Sequence, residues 1–304
     1  TLCVISGVSG SGKTTLVKQI LYPALQKYKG EPADKVGLHT KLIGDIDSIS
    51  QIEMVDQNPI GKSSRSNPVT YIKAYDGIRD LYSKQPLSKM RGFMPKHFSF
   101  NVDGGRCDTC KGEGEQVVEM QFLADVHLTC ESCGGKRFKE EVLEVNYKDK
   151  NIFDVLELSV DQALDFFVED KSIYNAILPL QSVGLGYIKL GQSSDTLSGG
   201  EAQRVKLASF LGKGKGHGQM LFIFDEPTTG LHFHDIKKLL SSFSALIDQG
   251  HSLIVIEHNT DVIKSADWLI DMGPEAGDGG GTVVYEGVPV GIKKCAASHT
   301  AKYM

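Results

Sequence analysis

A segment near the start of the chain, Gly7–Thr14, has the residue types and spacing of a phosphate-binding loop. It matches the pattern G-x-x-x-x-G-K-[ST] in full. Glycines allow a tight turn whose backbone N–H groups face one anion, while Lys13 reaches the outer phosphates of a nucleotide and Thr14 offers a hydroxyl to magnesium. A glycine-rich turn without a ligand is the alternative, but it needs neither Lys13 nor Thr14. The predicted ATP-binding residues are Gly7, Ser9, Gly10, Ser11, Gly12, Lys13, Thr14 and Thr15.

Two adjacent carboxylates follow the apolar run 221–224. Neighbouring side chains at a strand end face different ways, so Asp225 and Glu226 are expected to have separate roles. Asp225 suits magnesium, as acidic residues do in other phosphate-loop enzymes. Glu226 can orient water and remove its proton. Acidic turns after strands are common, so this interpretation depends on the phosphate loop.

Two further polar side chains follow predicted strands, Gln57 after residues 52–55 and His258 after residues 253–256. The carboxyl end of an open α/β sheet is where such side chains meet a ligand. Gln57 is expected to contact magnesium or the attacking water, and His258 a γ-phosphate or Glu226. Taken singly, each of the two would more often be an ordinary structural residue.

A second phosphate-attracting motif lies at residues 197–204. Ser198 and Glu201 form a capping box, and the glycines between them, Gly199 and Gly200, leave backbone N–H groups bare at the start of a helix. Bare amides at the positive end of a helix attract phosphate. A plain helix cap is the alternative, although a cap needs neither glycine.

Four of the six cysteines form two C-x-x-C pairs separated by nineteen residues, namely Cys107, Cys110, Cys130 and Cys133. The N-terminus lacks the features of an export signal, so this spacing indicates a zinc site, with disulfides or inert thiols as the alternative. Four thiolates leave no open coordination position. The predicted role of the metal is therefore structural.

The charge is unevenly distributed. Net charge is −5 overall, but Lys62–Lys111 has ten Lys/Arg and four Asp, net +6. A basic segment in an acidic protein suits nucleic-acid phosphates, with chance clustering on a solvated face as the alternative. Arg91, Phe93, Lys96 and His97 interleave cations with rings. Phe98 and Phe100 fit that surface too, or are the inward residues of a strand leading to the cysteines.

The elements that position these residues follow from the hydrophobic pattern. Strand, loop and helix surround Gly7–Thr14, and the apolar strands at 221–224 and 253–256 enclose a helix that ends at Gly250. This strand–helix–strand order implies a right-handed crossover, hence an α/β fold with a mostly parallel sheet.

Further helices are predicted at 71–82, 153–167 and 173–183, strands at 117–122 and 283–285, a loop at 84–96 and a flexible turn at 277–281. The 40% hydrophobic content suffices for a packed core, no run reaches 18 apolar residues, and the expected location is the cytoplasm.

The order of the motifs resembles an ATP-binding-cassette (ABC) nucleotide-binding domain. A four-cysteine insertion between Gln57 and the 197–201 motif narrows the resemblance to the C-terminal half of the UvrA family, the damage-recognition subunit of the bacterial UvrABC excinuclease. Further segments carry this resemblance: Asp56–Gly61 with Arg65–Pro68, Gly105–Cys107, and Gly273–Gly281. It implies an ABC-type phosphate-loop core with a helical signature region that bears a four-cysteine zinc module. The expected divisions are 1–60 and 191–304 for the ATP-binding core and 61–190 for the insertion, with the zinc module at about 100–140.

The resemblance also implies roles for the candidate residues. ATP and magnesium are the expected ligands: Asp225, Gln57 and Thr14 attend magnesium, Glu226 activates water and His258 is the switch histidine. Ser198, Gly199, Gly200 and Glu201 would complete the site of a second cassette. The implied partners are double-stranded DNA, that second cassette, and a UvrB-type subunit bound through the other half of the family's sequence. Arg79, Lys89, Arg91 and Lys96 are the basic residues expected to contact DNA phosphates.

Two departures qualify the resemblance. The chain has one cassette where the family has two, and it starts six residues before the phosphate loop, without the strands that carry an adenine-stacking aromatic. We therefore expect a fragment of a longer protein whose unaided ATPase activity is weak or absent. The competing hypotheses are a UvrA-like paralogue in drug self-resistance and, further away, a transporter ATPase, for which a zinc module in a basic segment has no use.

Overall fold

The structure is a computed structural model that describes residues 1–61, 65–118, 120, 126–212 and 218–304, without the side chain of residue 234. Lys62 of the basic segment and residues 119, 121 and 122 of the predicted 117–122 strand lie outside the described residues. The chain divides into two compact units. Thr1–Gln57 with Lys213–Met304 is here called the core unit, and Asn58–Gly212 the helical unit.

The helices and strands of the described residues are as follows. The strands are β1 (Leu2–Gly7), β2 (Ile49–Val55), β3 (Glu115–Val118), β4 (Val126–Thr129), β5 (Gln219–Asp225), β6 (Ser252–Ile256), β7 (Trp268–Gly273) and β8 (Thr282–Gly287). The α-helices are α1 (Tyr22–Tyr28), α2 (Pro68–Tyr71), α3 (Ala74–Ser83), α4 (Pro86–Arg91), α5 (Glu140–Leu143), α6 (Ile152–Leu156), α7 (Val160–Phe166), α8 (Lys171–Ser182), α9 (Gly199–Leu211), α10 (Phe233–Asp248) and α11 (Thr260–Lys264). A π-helix, Thr15–Leu21, precedes α1 directly, and short 3-10 turns occupy Pro95–Phe98, Ser194–Thr196, Gly277–Gly279, Pro289–Lys294 and Thr300–Tyr303.

The core unit is an α/β structure built on one mostly parallel sheet, as the hydrophobic pattern predicts. The strand order is β2-β5-β6-β1-β7-β8, with every pair parallel except β7 and β8. Val4 of β1 lies between Val255 of β6 and Leu269 of β7. Because β1, β5 and β6 are adjacent and parallel, the loops that leave their carboxyl ends lie at the same sheet edge, where the candidate residues are found.

The core of this unit is built from the apolar strand runs. Ile5, Ile223 and Ile256 pack with Val17 of the π-helix and Leu25 of α1 into one buried cluster. Each such side chain contributes about 1.5–3 kcal/mol when fully buried. The cluster therefore fixes the phosphate loop between β1 and the π-helix at both of its ends.

One core strand was not predicted from the sequence. In β7 an aspartate, Asp271, interrupts the apolar run and is almost fully buried. Its carboxylate accepts hydrogen bonds from three hydroxyls, Ser6 Oγ at 2.5 Å, Ser298 Oγ at 2.6 Å and Thr300 Oγ1 at 2.7 Å. These bonds compensate the cost of burying a charged group and tie residues 298–300 to the sheet.

The helical unit has an aromatic core. Tyr82 packs against Phe98, and Phe100 lies between Tyr75 and Phe138, all five rings being buried. Of the two interpretations of Phe98 and Phe100, the buried one is therefore correct and the DNA-facing one is wrong. Neither ring lies on a strand, because the 3-10 turn Pro95–Phe98 carries the chain into the core.

Two helix predictions and one loop prediction in this unit were wrong. The predicted 71–82 helix is interrupted at Lys73, which has a left-handed φ of 63°. The predicted loop 84–96 contains α4, which starts at Pro86 and ends before Gly92 with φ 70°, the usual placement of these residues at helix ends. The 153–167 helix is two helices, because Ser159 caps α7 through a capping box with Gln162.

The grouping of residues 191–212 differs from the expected division. They were expected with the ATP-binding core, whereas in the structure they belong to the helical unit. The reason is that α9 packs against α8 and α2 of that unit. Within the described part of the chain, no helix combines the length and apolar character needed to cross a membrane.

Candidate nucleotide and metal sites

Backbone geometry explains the glycines of the phosphate loop. Gly7, Gly10 and Gly12 have φ values of 137°, 78° and 95°, a region that L side chains rarely adopt. A Cβ atom on Gly7 would also lie 2.0 Å from the carbonyl oxygen of Met272. A side chain at this position would therefore force β1 away from β7.

The side chain of Lys13 folds back onto the phosphate loop. Its Nζ donates hydrogen bonds to the carbonyl oxygens of Gly7 at 3.0 Å and Val8 at 2.8 Å, and the residue is 5% exposed. Burial lowers the pKa of Lys13, while the carboxylates of Glu226, Asp271 and Asp225 act in the opposite direction. The cation and the predicted acidic residues are thus within electrostatic reach of each other.

The hydroxyls of the loop differ in accessibility. Ser9, Thr14 and Thr15 are exposed. Ser11 is fully buried, and its Oγ has no hydrogen-bond partner among the described residues. Thr14 can therefore offer its hydroxyl to a metal, whereas the Ser11 hydroxyl is buried away from a ligand. A cavity of about 330 Å³ borders Gly10–Gly12, Thr15 and Leu16.

Asp225 lies at the end of β5 and forms an ion pair with Lys18 of the π-helix, Nζ to Oδ2 2.6 Å. Both side chains are partly exposed, 35% for Lys18 and 20% for Asp225. The carboxylate consequently faces the helix that follows the phosphate loop. The role of Asp225 toward magnesium stays a prediction.

Glu226, His258 and Gln57 lie together. Glu226 has φ 45°, so the chain turns sharply after Asp225, and the two carboxylates diverge as expected. His258 Nε2 is 3.4 Å from Glu226 Oε1, and Gln57 Nε2 is 3.4 Å from the Glu226 carbonyl oxygen. Contact with Glu226 is thus one of the two interactions expected of His258, and contact with a γ-phosphate stays a prediction.

Sequence reasoning missed Glu257, the residue before His258. It is 2% exposed, and its carboxylate accepts four hydrogen bonds. Oε1 accepts from Thr228 N at 2.9 Å and Oγ1 at 2.5 Å, while Oε2 accepts from His258 N at 2.6 Å and Asn259 N at 2.9 Å. Glu257 thereby joins the loop that carries Glu226 to the segment that carries His258. The sequence feature that marks Glu257 is its position as a charged residue directly after a predicted strand.

The 197–204 motif caps α9 in the helical unit. Ser198 Oγ accepts from Glu201 N at 3.3 Å, and Glu201 Oε2 accepts from Ser198 N at 2.8 Å. The hydroxyl of Tyr187 donates to Glu201 Oε1 at 2.6 Å. Burial alone would raise the pKa of Glu201, but the bonds from Tyr187 and Ser198 outweigh it and lower that pKa. Gly199 and Gly200 form the first turn of α9.

The four predicted cysteines form one cluster whose sulfur atoms lie within 4.8 Å of one another. The Sγ–Sγ distances are 3.9 Å for Cys107–Cys130 and 3.7 Å for Cys110–Cys133. A tetrahedron with zinc–sulfur bonds of about 2.3 Å requires sulfur separations of about 3.8 Å. The geometry therefore fits zinc better than disulfides, whose sulfurs lie about 2.0 Å apart.

The local backbone favours a thiolate at Cys107, whereas burial raises the pKa values of Cys110 and Cys133. Burial opposes ionisation of Cys107, but the backbone N–H groups of Cys110 and Thr109 and the nearby thiols outweigh it and lower the pKa of Cys107 to about 7. Gly114 N donates to Cys110 Sγ at 3.2 Å. Such hydrogen bonds neutralise part of the charge that four thiolates bring to a metal.

The four basic residues predicted to contact DNA fall into two pairs. Arg79 forms an ion pair with Asp76, and Arg91 with Glu144. Lys89 and Lys96 are exposed and form no ion pair with a described residue. The lysines are thus available to a phosphate without breaking an existing bond, whereas the arginines must exchange a carboxylate for one.

Comparison with known proteins yields close relatives. No family model matches the chain. It is 51% identical over 304 residues to UvrABC system protein A of Clostridium tetani, covering 100% of the chain and 32% of that protein. It is 52% identical to UvrABC system protein A of Aquifex aeolicus, covering 99% of the chain and 32% of that protein.

A solved structure agrees with these relatives. The crystal structure of UvrA2 from Deinococcus radiodurans matches with a TM-score of 0.88 and 46% identity, covering 99% of this chain and 36% of that one. The chain therefore spans about a third of the length of the proteins it matches. The predicted resemblance to the UvrA family is confirmed, and with it the ABC-type fold with a four-cysteine module.

Proposed function

We propose that this chain, a homologue along its full length of about one third of UvrABC system protein A, is an ATP-binding and ATP-hydrolysing module that couples nucleotide turnover to DNA damage recognition in nucleotide excision repair. The observation that carries the proposal is the meeting of Lys13, Asp225, Glu226 and His258 at one sheet edge. Such a constellation serves phosphoryl transfer to water. The relatives' name supports repair of DNA as the process served, in the cytoplasm.

Each residue has a defined task in this proposal. The backbone N–H groups of the loop and Lys13 hold the phosphates of ATP, and Thr14, Asp225 and Gln57 hold magnesium. Bound magnesium would neutralise charge on the phosphates. Glu226 orients water and accepts its proton, and His258 holds the Glu226 carboxylate in place. Ser198, Gly199, Gly200 and Glu201 act on the nucleotide of a second cassette, which is the implied partner.

The four cysteines hold a structural zinc in this proposal. Because four thiolates fill a tetrahedron, the metal has no position for water and supplies folding free energy only. Double-stranded DNA is the proposed ligand of the basic segment Lys62–Lys111 of the helical unit, read through its shape and phosphates. A UvrB-type subunit would bind parts of the longer protein that lie outside this chain.

The experiment compares binding of the chain to damaged and undamaged duplexes across a salt series, with the Cys107→Ala variant as the matched test of the zinc module. We expect log Kd to rise linearly with log salt concentration and damaged DNA to bind more tightly. Loss of the preference in Cys107→Ala, with the salt dependence retained, would assign discrimination to the zinc module. Binding that is independent of salt would contradict the proposed phosphate contacts.

The nucleotide part has its own test. Glu226→Gln is expected to retain magnesium-ATP binding and to lose turnover, because only the proton acceptor is removed. Lys13→Ala is expected to lose binding. Equal turnover in Glu226→Gln and in an unmodified chain that hydrolyses ATP measurably under the same conditions would rule out Glu226 as the base.

A further inference from the structure

The glycine-rich turn between β7 and β8, Glu275–Gly281, has no role in the proposed reaction, yet it contacts the phosphate loop. Its 277–281 part was predicted to be a flexible turn. In the structure Gly277 N donates to the carbonyl oxygen of Gly10 at 3.2 Å, and Gly281 N donates to that of Ser11 at 3.0 Å. Two consecutive carbonyl groups of the phosphate loop are therefore held by this turn.

The sheet topology brings the two loops together. β1 and β7 are parallel neighbours, with Gly7 paired to Met272, so the loops that follow them leave the same edge side by side. The turn is closed by Gly280 N, which donates to the Gly277 carbonyl at 3.0 Å, and its far end is held by Thr282 Oγ1, which donates to the Gly273 carbonyl at 2.6 Å. The turn is therefore held by its own hydrogen bonds as well as by those to the phosphate loop.

Contact distances show why the turn is rich in glycine. A Cβ atom on Gly280 would lie 2.6 Å from the Glu275 carbonyl oxygen and 3.2 Å from Ser11 Cα. A Cβ atom on Gly10, across the contact, would lie 3.1 Å from Ala276 Cβ. The backbones thus approach too closely for added side chains, and the glycines serve close approach as well as chain reversal.

The hydrogen bonds set the direction of a loop amide. A trans peptide points its C=O and N–H groups in opposite directions. Because the Ser11 carbonyl is directed at Gly281, the N–H of Gly12 in the same peptide points away from the turn. The neighbouring peptide is held at both ends, since Ser11 N donates to the Val8 carbonyl at 3.1 Å.

We propose that the Glu275–Gly281 turn is a positioning element that holds the phosphate loop, and the Gly12 N–H in particular, in its anion-binding orientation before the nucleotide arrives. This inference rests on the proposed nucleotide site. It assigns the turn no contact with the nucleotide. The benefit is preorganisation, because a loop already in its bound conformation loses less entropy on binding.

The test uses Gly280→Ala, with Gly279→Ala as the matched control. Both variants add one methyl group to the same turn at a position without a left-handed φ. The methyl group of the control would lie 3.1 Å from Glu275 Cβ, whereas that of Gly280→Ala would lie 2.6 Å from the Glu275 carbonyl oxygen of the turn and 3.2 Å from Ser11 Cα of the phosphate loop. Only the latter pushes on the phosphate loop.

The first measurement is amide hydrogen exchange of the nucleotide-free chain, which does not depend on the proposed function. In Gly280→Ala the amides of Ser11, Gly277 and Gly281, which donate hydrogen bonds within the phosphate loop or to it, are expected to exchange about tenfold faster, with exchange in β1 and β6 unchanged. The second is the Kd for magnesium-ADP, expected to rise about tenfold in Gly280→Ala and less than about twofold in Gly279→Ala.

The outcomes separate the two proposals. Equal exchange in both variants would overturn the positioning role of the turn, whatever the affinity. Faster exchange of the loop amides in Gly280→Ala, together with no binding of magnesium-ADP by the unmodified chain, would support the turn's role and overturn the proposed nucleotide site instead.

Discussion

Glu257 is the residue whose burial has the clearest energetic consequence. Its carboxylate accepts four hydrogen bonds in a nearly water-free position, from Thr228 and from the two residues that follow it. Hydrogen bonds to a buried charge stabilise by about 1.5–3 kcal/mol, and removing an acceptor leaves buried donors unpaired. This residue therefore links the stability of the core unit to the positions of Glu226 and His258.

We predict that Glu257→Gln lowers the stability of the core unit by about 2–3 kcal/mol, because the amide NH2 group replaces one acceptor and faces backbone N–H groups. Thermal unfolding should show a Tm lowered by about 5–10 °C.

The adjacent carboxylate provides the control. Glu226→Gln makes the same chemical change at a side chain that is 47% exposed, and should alter stability by less than about 0.5 kcal/mol. Equal Tm changes in the two variants would contradict the role assigned to Glu257.

A single functional residue can be predicted from the sequence when it belongs to a short local motif. Lys13, Asp225, Gln57 and His258 were found because each follows a strand or completes the phosphate loop. Glu257, like the Lys18 partner of Asp225, was missed, because its partners come from segments that are distant in the sequence and only the folded chain brings them together.

Tyr187 stabilises the first turn of α9. Its hydroxyl donates to Glu201, which caps the same turn through Ser198. Because the folded-state pKa of Glu201 is lowered, its contribution to stability is present above the ordinary carboxyl pKa of 4.5 and is lost as the pH falls through the lowered value.

We predict that Tyr187→Phe destabilises the helical unit by about 1 kcal/mol at pH 7, and that the difference shrinks as the pH is lowered below 4.5. Denaturant unfolding at several pH values measures this. Tyr174→Phe, on α8 of the same unit, is the control with little expected effect. A difference that stays constant with pH would exclude Glu201 as the group through which Tyr187 acts.

In the hairpin of β3 and β4, no strand residue that the structure describes is buried. All eight residues of the two strands are exposed, Val117 by 45% and Leu128 by 51% among them. A two-stranded hairpin is marginal in water, so its order depends on the cysteine cluster that flanks it.

We predict that one zinc ion binds per chain and that chelation removes amide protection from Gln116 and Leu128 while α3 and α8 keep theirs. Elemental analysis and hydrogen exchange are the measurements. Cys107→Ser should reproduce the effect and Cys295→Ser should not. Protection that survives complete metal removal would contradict a structural role.

Element prediction succeeded where the apolar pattern was unbroken, as in the continuous apolar runs of β5 and β6 and the helical stripe of α10. It failed at β7, where the buried Asp271 breaks the apolar run and only the hydroxyls of Ser6, Ser298 and Thr300 make its burial tolerable. It failed again at α4, although Pro86 and Gly92 marked both ends. Both residues are typical of helix ends, but the charge scattered between them favoured a loop in the sequence-based prediction.

At the scale of the whole molecule, the uneven charge places the net +6 segment in the helical unit of a protein whose net charge is −5. Lysines that are exposed and unpaired with carboxylates give up less on binding a phosphate than arginines held in ion pairs. The basic segment could therefore be predicted from the sequence. The structure was needed to rank its lysines and arginines by their availability to a phosphate.

We predict that Lys89→Ala and Lys96→Ala each reduce the salt slope of DNA binding by about 0.9. Arg79→Ala, which removes a side chain paired with Asp76, should reduce it less. DNA titrations at four or more salt concentrations decide the order. A larger effect from Arg79 than from both lysines would reverse the proposed ranking.

The burial of Asp271 has a consequence for proteolysis. Two of its three hydroxyl donors, Ser298 and Thr300, follow β8 in the sequence, and its charge acts on Lys13. Proteolytic cleavage between β8 and Ser298 would leave a buried carboxylate with fewer donors beside the phosphate loop. Nucleotide affinity would then report whether residues 298–300 remain attached, and a preparation could lose ligand binding while its sheet remained folded.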